Sequence, residues 1–353
     1  MILLSHIKRT LGRTAATALY LTGITQLLIS SRLKQKLIVL MYHRVIPKKD
    51  IPGCPSHPGI IVSREAFARH MAFVGQRLHP VSITDLAQSV ENRTPLKDKS
   101  CLVTFDDGWK DNYDHAFPIL KEFKIPAVIF IPTDFVGRST GFWQEKLFML
   151  LMDLHEAMDS AGNNEHFLDK LPFEKDIRRI MEGDSSEIKD RAFSFISGIK
   201  NKSRKERDDL IWALQNKLGQ TPGDSRPSDH RAFLDWEEIK TMEKQNVSFG
   251  SHGKSHAILT ALPEEEVLDE VKASRQKMRV QLGAPPLAMA YPNGDYNSLV
   301  QTQAQKVDYK LAFTTSPGLF AVNDDPLAIP RINIHEDMTG SLPLFAGKLA
   351  RLW

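Results

Sequence analysis

Short, continuous apolar runs recur along the chain, with polar, helix-periodic stretches between them. Residues 37–42, 101–105, 127–131, 247–250, 287–291, 310–314 and 331–335 read as strands. Most are apolar at nearly every position, which is the pattern of a parallel sheet buried on both faces. After Ser63 the spacing changes. Phe67, Met71, Val74 and Leu78 recur at helical intervals, with Ser63 placed to cap the helix. Strands of this kind with helical crossovers predict one α/β domain, a (β/α)-type barrel. Such barrels gather their chemistry at the C-terminal ends of the strands. His43, Asp106, Asp107, His252, Pro292 and His335 each end a run or lie just beyond one.

The regular alternation is interrupted between the runs at 127–131 and 247–250. Trp143 opens a helical pattern there, and residues 200–205 form a basic run that reads as a solvated helix face. This predicts a helical insertion of about residues 140–230 over the barrel mouth, since long inserts near sites tend to be lids or binding loops. The domain reading is then an N-terminal helix over 1–35, a barrel over 36–338 with that insertion, and a C-terminal amphipathic tail over 339–353.

Charge changes the picture at the N-terminus. The net charge is only +3, yet no acidic residue precedes Asp50, while Lys8, Arg9, Arg13, Arg32, Lys34 and Lys36 do. A basic end without any nucleic-acid motif suits an anionic membrane surface better than nucleic acid. Residues 14–31 carry no charge but include Thr17, Thr22, Gly23, Thr25 and Gln26. They are too polar for a transmembrane helix, which wants ~20 mostly apolar residues, and no small-x-small cleavage site follows them. An amphipathic helix is expected, lying on a membrane or packed on the barrel. The expected location is peripheral membrane or cell envelope. Leu342, Phe345, Leu349 and Leu352 give the tail a second apolar stripe, for a surface or for docking on the barrel. Cys54 and Cys101 form no disulfide framework.

The densest chemistry is Thr104-Phe105-Asp106-Asp107-Gly108-Trp109, at the end of a buried run. Adjacent half-buried carboxylates repel unless a cation stands beside them. Ser251-His252-Gly253-Lys254-Ser255-His256 ends another run with two histidines four apart. Gly253 follows the first histidine, so the pair sits on a strand-to-loop turn and not on a zincin helix. Asp107, His252 and His256 would make a three-ligand site with an open position, the arrangement of catalytic zinc, leaving Asp106 as a general base.

With these motifs in family order, the chain resembles the NodB-homology polysaccharide deacetylases, carbohydrate esterase family four. Ala290-Tyr291-Pro292-Asn293-Gly294 fits the family's third motif, and Leu40-Met41-Tyr42-His43-Arg44-Val45 is similar to the poly-N-acetylglucosamine deacetylase branch. The resemblance covers about residues 37–335. It implies a distorted (β/α)7-type barrel and a metal-dependent hydrolase. Such an enzyme removes N-acetyl groups from an N-acetylhexosamine-containing polysaccharide or a lipid-linked sugar. The metal expected is Zn2+, with Co2+, Ni2+ or Mn2+ as alternatives. His335 matches the histidine of the family's final motif and is the expected acid, with His43 as its rival or a substrate contact. The backbone N–H of Asn293 is an oxyanion candidate. Pro292 fixes its turn, and Tyr291 and Trp109 are counted as substrate contacts, Trp109 and Trp143 as platforms for sugar rings. The family's Arg two residues before the proline is here Ala290, and Arg331 is expected to charge-pair with Asp106 in its stead. The family's Asp-rich fourth motif with Trp is absent. Two other classes share the same residues: a metal-dependent amidase for a non-sugar amide, and a carbohydrate-binding pseudo-enzyme.

Overall fold

The computed structural model describes residues 2–160, 165–182, 187–200, 202–220 and 231–351. The chain forms two compact units. The first comprises Met1–Pro52, Pro58–Gly137 and Phe233–Trp353, the second Gly53–His57 and Arg138–Ala232.

Among the described residues all strands belong to the first unit: β1 (Leu37–Tyr42), β2 (Arg44–Ile46), β3 (Ile61–Ser63), β4 (His79–Pro80), β5 (Ser100–Phe105), β6 (Ala127–Ile131), β7 (Val247–Ser251), β8 (Ala288–Ala290), β9 (Leu311–Phe313) and β10 (Ile332–Asn333). The main sheet has the order β10-β1-β5-β6-β7-β8-β9, with β4 added beside β5, while β2 and β3 pair only with each other. Every ladder is parallel. The sheet curls into a barrel that stays unpaired between β9 and β10. There the chain bridges the gap itself: Thr314 N–H donates to Ile329 O and Arg331 N–H to Ser316 O, both at 3.0 Å.

Strand alternation decides which residues face the barrel interior. Ile38, Leu40, Tyr42, Val103, Phe105, Ile129 and Ile332 pack outward, into the core shared with the surrounding helices. Leu37, Val39, Leu102, Val128, Phe130, Ala290 and Phe313 pack together inside. Carrying this period to the strand ends turns His43, Asp106, His252, Pro292, Arg331 and His335 to the inner face. Among the crossover helices, α3 (Arg64–Arg77) starts as its sequence implies. Ser63 Oγ accepts the Ala66 N–H, and Phe67, Met71 and Val74 are buried.

The expected helix over 14–31 is two helices, α1 (Ile2–Leu21) and α2 (Ile24–Arg32), broken at Gly23 with φ 80°. Both pack on the C-terminal helix Leu342–Leu349. That helix buries Phe345, Ala346 and Leu349, so its apolar stripe is docked on the body of the first unit and is not a second surface helix. Leu352 lies outside the described residues. No helix among the described residues is long and apolar enough to cross a membrane.

The second unit has its own helical core. Helices Trp143–Ser160, Glu174–Met181, Ile188–Gly198 and Arg204–Lys217 bury Leu147, Leu151, Ile177, Phe193, Leu210 and Leu214 against one another. The basic run caps and begins the last of these. Lys202 and Arg204 reach Glu206 and Asp208 at 3.7 and 3.5 Å on the exposed surface, pairs that contribute little to stability. Trp143 packs on this core beneath the Arg207 guanidinium, 4.7 Å away.

Candidate active site

The parallel register of β1 and β5 ends at Tyr42↔Phe105, so the next residues, His43 and Asp106, are neighbours. On the other flank of β1 the register Met41↔Asn333, carried two residues further, sets His335 beside His43. His43 Nε2 is 3.9 Å from Asp106 Oδ2. Asp106 is buried, and both its oxygens are taken by Arg331: Nη1 to Oδ1 and Nη2 to Oδ2, each 2.7 Å. Arg331 is fully buried. Its Nε–H donates to Thr314 O at 2.9 Å, and its guanidinium lies 5.7 and 6.0 Å from the Phe130 and Phe313 ring centres. Burial alone pushes the Asp106 carboxyl up. The Arg331 charge, with lesser help from His252 and His43, outweighs it and holds the group below the usual carboxylate range.

Asp107 leaves the strand with φ 75°, and Gly108 follows with φ 68°. A Cβ on Gly108 would come within 2.7 Å of Ile131 Cγ2, so this turn requires glycine. The turn aims Asp107 across at β7. Its Oδ1 lies 3.6 Å from His252 Nε2 and 3.2 Å from His256 Nε2. Burial raises the Asp107 carboxyl, but its contact with His256 and the surrounding imidazoles hold it well below the normal range. His252 Nδ1 lies 2.8 Å from Ala290 O. A carbonyl only accepts, so Nδ1 carries the proton and the Nε2 lone pair points at a carboxylate. Burial pushes this imidazole down to about 4, which keeps it neutral at ordinary pH. One ligand atom from each of Asp107, His252 and His256 falls within 4.8 Å of the others. A neutral imidazole aimed at a carboxylate is a mismatch that a divalent cation between them resolves, so the donor set fits a metal.

Several side chains that hold these groups escaped sequence reasoning. Glu270, buried on helix Glu264–Leu282, accepts the backbone N–H of Lys254 and of Ser255 and the Ser255 hydroxyl at 2.8, 2.9 and 2.6 Å. It thereby fixes the loop that ends in His256 (φ 60°). Asp111 accepts from Arg44 Nε and the Val45 N–H, and Asn112 donates to His43 O at 2.7 Å. The signal for Glu270 was its spacing, on the same helix face as Val267, Val271 and Ser274.

Two expected substrate contacts are core residues. Trp109 is 2% exposed. It stacks on Phe233 at 4.7 Å, lies under Arg44 at 4.3 Å, and donates its indole N–H to Asp107 Oδ2 at 3.0 Å. It orients Asp107 and offers no face to a sugar. Tyr291, just past β8, packs outward and is fully buried, with its hydroxyl donating to Leu327 O at 2.8 Å. The neighbouring turn differs: Pro292 is buried, and Asn293 is exposed with φ 61°.

The model of the polysaccharide deacetylase family matches residues 93–312. The protein YxkH of Bacillus subtilis (strain 168) is 21% identical over 307 residues, 87% of this chain and 74% of that one. The poly-beta-1,6-N-acetyl-D-glucosamine N-deacetylase of Staphylococcus epidermidis is 24% identical over 227 residues, 62% of this chain and 72% of its own. Among solved structures, the Streptococcus pyogenes deacetylase PplD in complex with acetate has a TM-score of 0.55 at 20% identity, covering 86% of this chain and 94% of that one. At that identity the likeness is one of fold.

Proposed function

The chain belongs to the polysaccharide deacetylase family, and from that premise we propose that it hydrolyses N-acetyl groups of a glycan at a divalent metal held by Asp107, His252 and His256. The observation that carries the metal reading is the convergence of the two Nε2 atoms on Asp107 Oδ1, at 3.6 and 3.2 Å. A divalent ion bound there supplies Lewis acidity toward the acetamide carbonyl and toward water. Zn2+ suits two imidazoles and a carboxylate.

The remaining work falls to side chains. Asp106, kept ionised by Arg331, takes the proton of the attacking water as general base. The Asn293 N–H is the proposed donor to the oxyanion that develops on the acetyl oxygen. Cleavage of the C–N bond expels an amine, which leaves only when its nitrogen is protonated, and His335 is the proposed donor. His43, with Nε2 3.9 Å from Asp106 Oδ2, stands beside the base, where it can contact the substrate. The substrate proposed is an N-acetylhexosamine polymer, supported by the family and by the activity of the Staphylococcus epidermidis relative.

Acetate release from N-acetylglucosamine oligomers, read beside metal content, tests the assignment. Asp107→Ala or His252→Ala should lose the metal. Asp106→Asn should keep it and lose about 100-fold or more in turnover. Stoichiometric metal in both ligand variants, or near-native turnover in Asp106→Asn, would overturn it.

A further inference from the structure

The catalytic groups occupy the C-terminal ends of the strands. The opposite end of the sheet, where α2 runs into β1, has a different chemistry. A cavity of about 550 Å3 opens there, lined by Ser31, Arg32, Lys34, Lys36, Leu319 and Arg351. Arg32 donates to Ala350 O and Arg351 O and so closes the C-terminal helix. Lys34, Lys36 and Arg351 are exposed and make no ion pair among the described residues. The nearby carboxylate of Asp98 accepts the Gln35 N–H at 2.9 Å, and the cations outnumber it.

The same helix carries bare apolar side chains. α2 buries Thr25 and Ile29, which turns Ile24, Leu27 and Ser31 outward at i, i+3 and i+7. Ile24 is 44% and Leu27 71% exposed, and Leu21, the last residue of α1, is 78% exposed. Ile24 and Ser31 are ~10 Å apart along the helix, so the aliphatic bend at Gly23 adjoins the cationic cavity. Scattered exposed leucines need no explanation. Aliphatics grouped at a bend beside a basic cavity have the chemistry of an interfacial anchor, which buries apolar side chains at the acyl boundary and sets cations among phosphates.

We propose that this end of the molecule docks on an anionic phospholipid bilayer. Leu21, Ile24 and Leu27 enter the headgroup boundary, and lipid phosphates sit between Arg32, Lys34, Lys36 and Arg351. The strands are parallel and rise about 3.3 Å per residue, so docking by their N-terminal ends holds the Asp106–His252 end ~20 Å away, facing the aqueous phase. The glycan is then met as a strand in solution above the membrane, and not as a sugar seated among headgroups. The docking surface itself is independent of the reaction assigned above.

The test is sedimentation of the full chain with vesicles of phosphatidylcholine mixed with phosphatidylglycerol, against phosphatidylcholine alone. Binding should require the anionic lipid and weaken with salt. It should fall roughly fivefold for each of Lys34→Ala and Lys36→Ala, and vanish in Ile24→Asp and Leu27→Asp. Acetate release from soluble oligomers should be unchanged in all four, which shows that they fold. In a Cys54→Ser background, an environment-sensitive dye on Leu27→Cys should shift to the blue on vesicles, and the same dye on Tyr296→Cys, beyond the catalytic turn, should not. Failure to bind mixed vesicles at low salt, or binding indifferent to both lysines, overturns the proposal. So does a concentration-dependent dimer that Leu27→Asp breaks in protein that ignores vesicles, since the face then belongs to a second copy. A blue shift at position 296 overturns the orientation.

Discussion

Asp106 and Asp107 are neighbours in the chain with opposite partners. Asp107 faces two imidazole nitrogens and the Trp109 indole. Asp106 faces a guanidinium that no water reaches. A buried charge left without its partner is costly, by about 3–5 kcal/mol, so Arg331 and Asp106 depend on each other for stability as well as for charge. Removing Arg331 leaves burial to dominate, and the Asp106 carboxyl rises. The proposed base works only when ionised, so the acidic limb of the pH–rate profile should move to higher pH in Arg331→Met, with metal content unchanged. Arg331→Lys supplies charge without the two-pronged geometry and should fall between. A limb that stays put in Arg331→Met removes Arg331 from the tuning of the base. The residue types and strand-end positions of this site were legible in the sequence because they follow from strand period. The burial of Trp109 was not, because its cover, Phe233, is contributed from far along the chain.

At the scale of elements, the HxxxH loop is shaped by a helix it does not belong to. Glu270 holds Lys254 and Ser255 by three charge-assisted hydrogen bonds. In Glu270→Gln the loop should remain folded but less constrained, and metal affinity should drop about 10–100-fold, the usual cost of losing a group that orients a ligand. Competition with a chromogenic chelator measures this without reference to turnover, and native affinity would sink the idea. A second joint ties α3 to the C-terminal end of the chain. His70 Nε2 donates to Thr339 O at 2.8 Å, which leaves Nδ1 to accept from the Tyr42 hydroxyl at 3.2 Å, and the ring stacks on Phe345 at 4.0 Å. Burial pushes this imidazole down to about 3. In the unfolded chain it titrates near 6.5, so below that pH the unfolded state binds the extra proton. Stability should therefore fall as pH drops from about 6.5 toward about 3, by up to ~1.4 kcal/mol per unit from this group. His70→Gln keeps a donor and an acceptor but cannot titrate. Its urea midpoint should be flatter across that window, and a slope equal to the parent's would refute the assignment. Strands such as β1 and β6 could be read to the residue, since both faces are covered and every position is apolar. β2 and β3 could not, because three residues pairing only with each other leave no period to detect. The break between α1 and α2 hung on one glycine, Gly23, whose left-handed conformation no periodicity reports.

At the scale of the whole molecule, a chain whose hydrophobic clusters are divided between two compact units should unfold as two. The strands that carry the site draw on the clusters of the first unit and helices 143–217 on a separate one. The long inserted segment begins and ends at paired backbone: Gly137 N–H donates to Leu234 O at 2.8 Å, and Ala232 N–H donates to Arg138 O at 3.1 Å. Ends held this close need only a short turn to join them, and closing a short loop costs little entropy. Replacing residues 139–231 by a brief glycine–serine turn should therefore leave a first unit that melts cooperatively and binds one metal equivalent with native affinity. The segment Gly53–His57, which belongs to the second unit, would become a solvated loop. Calorimetry of the full chain should resolve two transitions, and only the one retained by the shortened chain should move up in temperature when metal is added. A single indivisible transition, or a shortened chain that does not melt cooperatively, would show that the inserted helices are part of the catalytic unit's own core.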